Sequence, residues 1–403
     1  MSSYHQMRIV IGADTFPPDV NGAARFAHRL AAGLAGRGHD VHVVAPSPGG
    51  PAGVEQLDGI TVHRLASYRT GVHPTFRVCP PWQAAAATRG LLRELAPDVV
   101  HVQAHFSVGR GLARAASRYG VPLVATNHFM PENLFAYAKV PGWLRAGAAR
   151  LAWRDLVRVY READAVTAPT PRAVQLLHDN GLPPGATPIS CGIDLDQYAT
   201  HPRQRAIPVA TDPHQRAGTD ATVLFVGRLD EEKRVDELLR AMALLPPWIR
   251  AEIVGDGSYR CTWQALAAAL GVADRVTFHG YVDDAALLDA YARCDVFCMP
   301  GIAELQSLVT LEAMAAGKPV VAADAMALPH LVRPGENGYL FPPGDVATLA
   351  DRLIDVLADP GVTARMGAAS RRAVASHDLS ATLDAYQDLY HQLLGAPALQ
   401  VAA

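Results

Sequence analysis

Glu304-Leu-Gln-Ser-Leu-Val-Thr-Leu-Glu312 is followed by Ala-Met-Ala-Ala-Gly317-Lys-Pro319-Val-Val, and this stretch predicts a loop, then a helix, then a strand. Glu304 is expected just before the helix, and Glu312 about two turns inside it. Carboxylates accept hydrogen bonds from hydroxyl groups, and the amides of a helix N-terminus attract phosphate. The stretch therefore predicts a ligand with hydroxyl groups at both ends and phosphates between them, such as a nucleotide sugar.

Short apolar runs alternate with helical patterns along both halves of the chain. The predicted strands are Arg8–Ile11, Val41–Ala45, Ile60–Leu65, Val99–Val102, Leu123–Thr126, Ala165–Ala168, Val223–Val226, Ala251–Val254, Val276–His279, Val296–Met299, Pro319–Ala322 and Tyr339–Phe341. The predicted helices are Gly22–Gly36, Pro81–Leu95, Val108–Tyr119, Pro171–Asn180, Arg234–Leu245, Thr262–Leu270, Asp345–Ala358 and Thr382–Leu394. Such alternation predicts parallel sheets with helices on both faces.

The pattern begins a second time after Leu182–Asp220, which is rich in Pro, Gly, Thr and charge and predicts a linker with irregular surface. A chain of 403 residues is also too long for one ordinary domain. We therefore predict an α/β protein with two doubly wound, Rossmann-like domains that face a central cleft. In such sheets ligands bind outside the carboxyl ends of the strands, so residues just after strands are the functional candidates.

The composition indicates a packed globular protein, because 50% of the residues are hydrophobic. The net charge of -3 gives no general attraction to nucleic acid or membrane, and no nucleic-acid partner is expected. No run of about 18 apolar residues and no signal-peptide pattern occurs, so we expect a cytoplasmic protein. The cysteine pattern favours reduced, buried thiols over a disulfide or zinc site, at Cys79, Cys191, Cys261, Cys294 and Cys298.

Two cations follow the first predicted strand of the second half, in Phe225-Val-Gly227-Arg228-Leu-Asp-Glu-Glu-Lys233. Arg228 and Lys233 lie at a strand end and close to a helix start, where they can neutralise a diphosphate. The alternative is a solvated loop in which they pair with their acidic neighbours, Asp230, Glu231 and Glu232. The glutamate pair elsewhere in the same half favours the phosphate site.

Further candidates follow other predicted strands. Gly280 and Tyr281 come after one of them, where a glycine permits close approach of a flat base. The alternative for this segment is a helix cap formed by Asp283 or Asp284. Gly22 opens a helix whose free amides and dipole attract phosphate. The sequence has no Gly-x-Gly-x-x-Gly and no P-loop motif, which argues against a dinucleotide site and against a P-loop enzyme.

His105 and His128 also follow predicted strands. A single histidine is more often structural than catalytic, but His128 lies in a polar loop, Thr126-Asn127-His128-Phe-Met-Pro131, at the expected edge of the cleft. No Gly-x-Ser-x-Gly motif points to a serine nucleophile. No cluster of closely spaced histidines or carboxylates stands out as a metal site, so no metal cofactor is expected.

Taken together, these motifs resemble the retaining glycosyltransferases of family 4, which have the GT-B fold. The resemblance covers nearly the whole chain, and the Glu-x7-Glu motif is its most specific part. It implies an acceptor-binding domain at residues 1–190, with a helix at about 380–403 that packs back on it, and a nucleotide-sugar-binding domain at residues 195–378. It also implies a hexosyltransferase that needs no metal and uses a UDP-sugar ahead of a GDP-sugar.

The resemblance implies a role for each matching residue. Arg228 and Lys233 would bind the donor diphosphate, and Glu312 would hold the ribose hydroxyls. Glu304 would face the donor sugar, and His128 would bind this sugar near the reacting centre. The remaining donor contacts would come from Gly22 at the phosphate, from Gly280 and Tyr281 at the base, and from the segment after the first glutamate, Leu305, Gln306, Ser307 and Leu308.

One departure from the family pattern concerns this last segment. The family usually has Glu-x-Phe-Gly, whereas this chain has Gln306 and Ser307 in place of Phe and Gly. Ser307 can still cap the helix, so the departure bears on the donor sugar more than on the reaction class. The resemblance implies front-face substitution in which the leaving phosphate helps to deprotonate the acceptor. Glu304 is therefore not expected to be a nucleophile.

Pro141–Ala163 predicts one long helix with a basic stripe at Arg150, Arg154, Arg158 and Arg161. Three apolar residues are predicted on or beside the same face, Trp143, Trp153 and Val157. The residues predicted to pack inward are Ala148, Ala152, Leu156 and Val159. A basic face with tryptophan suits an anionic membrane surface, and the alternative is a solvated face with arginine stems over apolar surface. We assign this helix, with His105 and Asn127, to the acceptor or membrane side.

Two questions remain open from the sequence. The acceptor is either a membrane lipid or a soluble small molecule such as a secondary metabolite, and His128-Phe-Met-Pro-Glu-Asn133 resembles glycolipid-forming relatives. The protein could also belong to another class, as a non-catalytic nucleotide-sugar binder or a GT-B sugar epimerase. The intact Arg228, Lys233, Glu304 and Glu312 favour a transferase.

Overall fold

Residues 6–69, 77–134, 140–199 and 220–395 are described by the computed structural model. They divide into two compact units, one within Met1–Cys191 and Ala381–Ala403 and the other within Gly192–Ser380. We call these the first and the second unit. Each contains a largely parallel sheet accompanied by helices, which confirms the predicted α/β class.

Strands and helices alternate through both units. The strands are β1 (Arg8–Gly12), β2 (Asp40–Pro46), β3 (Gly53–Leu57), β4 (Ile60–Leu65), β5 (Tyr68–Arg69), β6 (Arg77–Val78), β7 (Val99–Val102), β8 (Leu123–Thr126), β9 (Ala165–Ala168), β10 (Thr187–Pro188), β11 (Ala221–Val226), β12 (Ile249–Val254), β13 (Val276–Gly280), β14 (Val296–Met299), β15 (Val320–Ala323) and β16 (Gly338–Phe341). Every strand predicted from the sequence is present among them.

The helices follow the same order. They are α1 (Gly22–Gly36), α2 (Pro81–Leu95), α3 (Ser107–Tyr119), α4 (Gly142–Tyr160), α5 (Pro171–Asp179), α6 (Leu195–Ala199), α7 (Val235–Leu244), α8 (Arg260–Ala269), α9 (Asp284–Arg293), α10 (Leu308–Ala315), α11 (Leu328–Leu331), α12 (Val346–Leu357), α13 (Pro360–Val374) and α14 (Leu379–Leu393). The predicted helices are all present, with ends that differ by a few residues at most.

The sheet of the first unit has the strand order β10-β9-β8-β7-β1-β2-β4-β3. Its neighbouring strands run parallel, except that β3 pairs antiparallel with β4. β1 lies between β2 and β7, so the order of strands reverses beside β1. Every residue of β7 is buried, which explains why this strand is a continuous apolar run interrupted only by His101.

The sheet of the second unit has the order β13-β12-β11-β14-β15-β16, and all of its pairs are parallel. This is the 3-2-1-4-5-6 order of doubly wound nucleotide-binding sheets. The order reverses between β11 and β14. Ligands of such sheets bind at the carboxyl ends of the two strands that flank the reversal, so the loops after β11 and β14 define the expected site.

The final helix, α14, packs in the first unit. Leu383 lies against Gly33 of α1, where an added Cβ would come within 2.6 Å of Leu383 Cδ1. Tyr390 places its hydroxyl 2.7 Å from His101 Nδ1 of β7, and the ring of Tyr386 lies 6.0 Å from that of Phe26. The helix therefore packs aromatic side chains against one face of the sheet.

Several elements were not predicted. β3 is an exposed edge strand, β5 and β6 form a short antiparallel pair, and α13 follows α12 with only a short break. Within the predicted linker Leu182–Asp220, the structure has β10 and α6, and residues 200–219 lie outside the described part of the chain. These elements carry few apolar residues in a regular pattern, which is the signal that sequence reasoning depends on.

Candidate active site

Lys233 and Glu304 meet in the second unit where the strand order reverses. Lys233 ends a short 3-10 helix after β11, and Glu304 lies in the loop after β14. Because β11 and β14 are adjacent and parallel, both loops leave the same edge of the sheet. The Lys233 ammonium and the Glu304 carboxylate form an ion pair, and both side chains are mostly buried. The structure thus brings together two residues that are far apart in the sequence.

Arg228 lies in the same loop and pairs with its acidic neighbours. Its Nη1 is 2.8 Å from Asp230 Oδ2, and its Nη2 is 3.0 Å from Glu232 Oε1. Burial raises the pKa of Glu232, although the nearby Arg228 guanidinium opposes this shift. The Arg228 side chain is 36% exposed and that of Lys233 is 16% exposed, so Arg228 is the more accessible cation. The alternative of pairing with acidic neighbours therefore holds for Arg228, with Asp230 and Glu232, but not for Lys233, which pairs with Glu304.

Backbone hydrogen bonds hold the loop that carries Glu304. Ile302 N donates to Glu232 O at 3.0 Å, and Ala327 N, which follows β15, donates to Glu304 O at 3.1 Å. A Cβ on Gly301 would come within 3.2 Å of Glu304 Oε1, so a glycine suits this position. The loops after β11, β14 and β15, which are neighbouring strands in the sheet, therefore hold the backbone that carries the Glu304 carboxylate.

The helix after this loop, α10, begins later than predicted. Its first residue is Leu308, so Glu312 lies little more than one turn inside the helix rather than two. Ser307 occupies the N-cap position, but its side chain makes no capping hydrogen bond to a helix amide. Its Oγ accepts a hydrogen bond from Thr310 Oγ1 at 2.8 Å instead. The prediction of a side-chain cap by Ser307 is therefore wrong.

Glu312 is fully buried, and Tyr291 fixes one of its carboxylate oxygens. The Tyr291 hydroxyl, from α9, donates to Glu312 Oε2 at 3.0 Å. Sequence reasoning missed Tyr291, which had no signal beyond an apolar position on a helix. Gln306 is half-buried with its Nε2 3.5 Å from His377 Nδ1, whereas the side chains of Leu305 and Leu308 are buried.

Glycines let the loops after β11 and β12 touch through their backbones. A Cβ on Gly255 would lie 1.9 Å from Gly227 O, and one on Gly257 would lie 2.6 Å from Leu229 N. Leu229 N donates to Asp256 O at 2.9 Å across the same contact. The loop after β12 therefore supports the loop that carries the arginine and the lysine.

The loop after β13 contains the residues predicted to hold the base. Gly280 has a φ of +73°, and its carbonyl accepts a hydrogen bond from Gly255 N at 2.8 Å. The Tyr281 side chain is 65% exposed. Asp283 caps α9 and accepts from Ala286 N at 2.8 Å, so the alternative of a helix cap is confirmed. A base contact at Gly280 and Tyr281 stays a prediction.

In the first unit, Gly22 opens α1 as predicted. Asn21 caps this helix and accepts a hydrogen bond from Ala24 N at 2.9 Å. The loop before it is held by Arg64 of β4, which is buried and donates to Pro17 O. Sequence reasoning missed Arg64, because an arginine in an edge-proximal strand is normally expected to reach solvent.

The two histidines after β7 and β8 have different partners. His128 is half-buried, with Nε2 2.8 Å from Gln103 Oε1 and Nδ1 3.8 Å from Cys191 Sγ. His105 is buried, and its Nδ1 has no hydrogen-bond partner among the described residues; the same holds for Nδ2 of the buried Asn127. Burial lowers the pKa of His128 to about 3 and that of His105 to about 4, so both rings are neutral at pH 7.

Two family models match the chain, "Glycosyltransferase Family 4" at residues 20–197 and "Glycosyl transferases group 1" at residues 209–373. The GDP-mannose-dependent alpha-mannosyltransferase of Mycolicibacterium smegmatis is 31% identical, over 98% of this chain and 100% of the relative. The D-inositol 3-phosphate glycosyltransferase of Xylanimonas cellulosilytica is 33% identical, over 93% and 92% of the two chains. The chain belongs to glycosyltransferase family 4.

The glycosyltransferase has the GT-B fold. The solved structure of sucrose-phosphate synthase from Thermosynechococcus elongatus matches it with a TM-score of 0.81 and 23% identity, over 98% of this chain and 100% of the other. The predicted family, fold and enzyme class, a hexosyltransferase that uses a nucleotide sugar, are thus confirmed.

The basic helix α4 of the glycosyltransferase, with Arg161 directly after it, exposes all four arginines of the predicted stripe. The other three are Arg150, Arg154 and Arg158, and Trp143 is 83% exposed. Trp153 and Val157 are buried, so their prediction on the basic face is wrong. The indole Nε1 of Trp153 donates to Glu132 Oε1 at 2.9 Å, which draws this ring inward. The apolar residues that do share the exposed face are Leu144 and Leu151, which the sequence analysis did not name.

Two further properties of the glycosyltransferase bear on its chemistry. In the part of the chain that the structure describes, no three His, Cys, Asp or Glu side chains are grouped to hold a metal, and no helix has the length and apolarity to span a bilayer.

Asp194-Leu-Asp196 has closely spaced carboxylates, but Asp194 Oδ1 accepts a hydrogen bond from the amide of Asp196 at 3.1 Å at the start of α6. All five cysteines are free, and Cys261 is exposed rather than buried as predicted.

Proposed function

We propose that this glycosyltransferase moves a hexosyl group from a nucleoside diphosphate sugar to an acceptor hydroxyl, with retention of configuration and without a metal ion. The observation that carries the proposal is the ion pair of Lys233 with Glu304, with Arg228 in the same loop as Lys233, where the strand order of the second unit reverses. Fixed cations and helix amides at such a place stabilise the charge that develops on a leaving diphosphate.

The environment of Glu304 supports substitution without a protein nucleophile. Its carboxylate is engaged by the Lys233 ammonium and lies on a loop held by backbone hydrogen bonds. A carboxylate neutralised in this way is a poor nucleophile and a good orienting group. In the proposed reaction, the bond from the anomeric carbon to the phosphate oxygen breaks while the acceptor oxygen bonds on the same face. The leaving phosphate oxygen takes the acceptor's proton.

We propose GDP-mannose as the first donor to test, ahead of the UDP-sugars expected from the resemblance alone. Two relatives that align with 98% of this chain are named GDP-mannose-dependent alpha-mannosyltransferases. Other relatives carry names with other activities, such as glycogen synthase at 30% identity. The names therefore favour GDP-mannose without deciding the sugar.

A donor panel tests the proposal. GDP-mannose at about 100 times its Kd should add about 2.7 kcal/mol to the free energy of unfolding. UDP-glucose at the same concentration should add less, because we expect its Kd to be higher. Thermal unfolding with each sugar nucleotide measures this difference, and turnover with a panel of lipid and soluble acceptors follows. The shift should be lost in Arg228→Ala. Tight binding with no turnover on any acceptor would favour the non-catalytic binder, and no binding of any nucleotide sugar would refute the proposal.

For the acceptor, we propose a membrane lipid reached from an anionic surface, at which the protein would act peripherally. The support is the exposed face of α4, where arginines alternate with Trp143, Leu144 and Leu151. Cations attract anionic head groups, and exposed apolar side chains insert among acyl chains. A soluble acceptor requires no contact between this face and a membrane. Binding to vesicles therefore distinguishes a lipid acceptor from a soluble one.

The double substitution Arg154→Ala/Arg158→Ala should weaken vesicle binding by about 30-fold, because each basic residue near an anionic surface contributes about 1 kcal/mol. Sedimentation with phosphatidylglycerol–phosphatidylcholine vesicles at low salt measures this loss. The matched control is Arg89→Ala/Arg93→Ala, an exposed pair with the same spacing on α2. Failure of the unmodified protein to sediment with these vesicles would exclude the membrane surface.

A further inference from the structure

The buried side-chain amide of Gln103 connects two histidine rings, those of His101 and His128, in the first unit. Gln103 follows β7 and is 3% exposed. Its Oε1 lies 2.8 Å from His128 Nε2, and its Nε2 lies 3.2 Å from His101 Nε2. An amide oxygen only accepts and an amide nitrogen only donates, so the two ends of Gln103 demand opposite protonation of the two rings.

With the Gln103 amide in this orientation, the two contacts favour one tautomer of each ring. His128 must carry its proton on Nε2 to donate to the Gln103 oxygen. His101 must leave its Nε2 unprotonated to accept from the Gln103 nitrogen. His101 then donates from Nδ1 to the Tyr390 hydroxyl at 2.7 Å. The remaining nitrogen of His128, Nδ1, is an acceptor.

The partner of this acceptor nitrogen, His128 Nδ1, is a thiol. Cys191 Sγ lies 3.8 Å from His128 Nδ1, and a thiol is a poor hydrogen-bond donor. Burial raises the pKa of Cys191 to about 12, so the thiol keeps its proton at neutral pH. A hydroxyl group of a ligand is a stronger donor than a thiol and would make the stronger hydrogen bond to Nδ1.

The Gln103 amide is held by a hydrogen-bond network that extends to α14. His101 is fully buried, and its Nε2 also lies 2.6 Å from Thr126 Oγ1. Thr126 Oγ1 is in turn 2.6 Å from Thr167 Oγ1 and 3.3 Å from the Tyr386 hydroxyl. Every member of this chain of hydrogen bonds is buried, which makes an alternative arrangement costly.

We propose that Gln103 is a positioning residue that holds His128 as the Nε2-protonated neutral tautomer, so that Nδ1 is presented as a hydrogen-bond acceptor to a substrate hydroxyl in place of the Cys191 thiol. The substrate part of this proposal rests on the proposed function, whereas the tautomer follows from the first unit alone. Toward the substrate, His128 then acts as a neutral hydrogen-bond acceptor and transfers no proton during the reaction.

The surroundings of His128 define what a pH measurement reports. The titratable groups near the ring are His101 on β7 and Cys191, and the ring of Phe26 on α1 lies tilted against it at 4.7 Å between centroids. No carboxylate or cation directly contacts the ring in the part of the chain that the structure describes. With its pKa lowered to about 3 by burial, His128 should add no ionisation to a pH profile above pH 5.

The first experiment needs no activity. In protein labelled with ¹⁵N-histidine, the His128 signals, identified by their loss in His128→Asn, should show a protonated Nε2 and an unprotonated Nδ1. Addition of GDP-mannose or UDP-glucose, whichever stabilises the protein, should shift the Nδ1 signal. A protonated Nδ1 would overturn the proposal, and so would an Nδ1 signal that does not move when the donor is bound and turned over.

The second experiment uses Gln103→Glu, which keeps the size of the side chain and places a carboxylate at the His128 Nε2–H. A nearby anion raises the pKa of an imidazole. Since the imidazolium forms below its pKa and cannot accept at Nδ1, kcat/KM should fall at least tenfold toward low pH along an acid limb that the unmodified enzyme lacks. Gln264→Glu, an exposed position on α8, is the matched control. Parallel pH profiles of Gln103→Glu and the unmodified enzyme would overturn the proposal.

The two experiments also separate this inference from the proposed function. If neither sugar nucleotide is turned over, the proposed function fails, but the ¹⁵N signals of the unliganded protein still decide the tautomer. If turnover occurs and Nδ1 carries the proton, the function stands and the role of Gln103 is refuted. Should Gln103→Glu not fold, the labelled unmodified protein still gives the decisive result.

Discussion

Replacement of Lys233 by alanine should lower kcat/KM by about 30- to 1,000-fold, equivalent to about 2–4 kcal/mol of transition-state stabilisation. Arg228→Ala should have an effect of the same size. The physical reason is that both cations lie on rigid loops at the reversal of strand order, where they can meet a leaving diphosphate without reorganisation. Steady-state kinetics with the stabilising donor measures both losses, and unchanged activity in both variants would refute the phosphate site.

A structural side effect of Lys233→Ala has to be separated from catalysis. The substitution leaves the Glu304 carboxylate, which is 8% exposed, without the ammonium that neutralises it. An uncompensated buried charge destabilises a protein by about 3–5 kcal/mol. The double variant Lys233→Met/Glu304→Gln removes both charges, so it should regain thermal stability while remaining impaired in turnover. Arg240→Ala, which removes an exposed cation from α7, is the control for charge alone.

The balance of charge around the two cations suggests how a diphosphate is admitted. Arg228 and Lys233 pair with three carboxylates, those of Asp230, Glu232 and Glu304. This acidic excess would repel an incoming diphosphate unless one group lost its charge. Burial raises the pKa of Glu232, which reduces the cost of neutralising it with a proton. Protonation of Glu232 would therefore reduce the repulsion that an anionic ligand meets at the two cations.

The part of the fold that could be predicted is the buried part. Strands such as β7 and β14 are buried along their whole length, so they are continuous apolar runs that the sequence displays directly. The exposed edge strand β3 has no such run, since pairing with β4 rather than burial defines it. The error at Trp153 has a different cause. Its indole donates a hydrogen bond to Glu132, and helical spacing alone cannot predict such a contact.

The candidate site shows a similar limit. The sequence placed Arg228 and Lys233 just after a strand and Glu304 just before a helix, but these positions say nothing about which strands are neighbours in the sheet. The pairing of Lys233 with Glu304 depends on the order β11-β14 in the sheet, which the spacing of motifs does not contain. Tyr291 and Gln103 were missed for the related reason that each makes a side-chain hydrogen bond to a residue distant in sequence, Glu312 and His128 respectively.

Gly255 is a position beside the proposed phosphate site where a single added methyl group should be strongly destabilising. It has a φ of +131°, a region that residues with a Cβ rarely adopt, and the added Cβ would lie 1.9 Å from Gly227 O. The atom it would strike is backbone in the loop that carries Arg228, so no side-chain rotation can relieve the clash. Gly255 N also donates to Gly280 O at 2.8 Å, which ties the position to a third loop.

Gly255→Ala should therefore lower the free energy of unfolding by about 3 kcal/mol or more, because backbone strain of about 1–3 kcal/mol adds to overpacking of about 1–3 kcal/mol. Urea denaturation measures the loss, and KM for the donor should rise as the arginine loop is displaced. Gly335→Ala is the control, since Gly335 has a φ of +79° and nothing within 4 Å of an added Cβ. It should lose only about 1–2 kcal/mol through strain. Equal losses in the two variants would show that the loops after β11 and β12 are not in the close contact on which the proposed phosphate site depends.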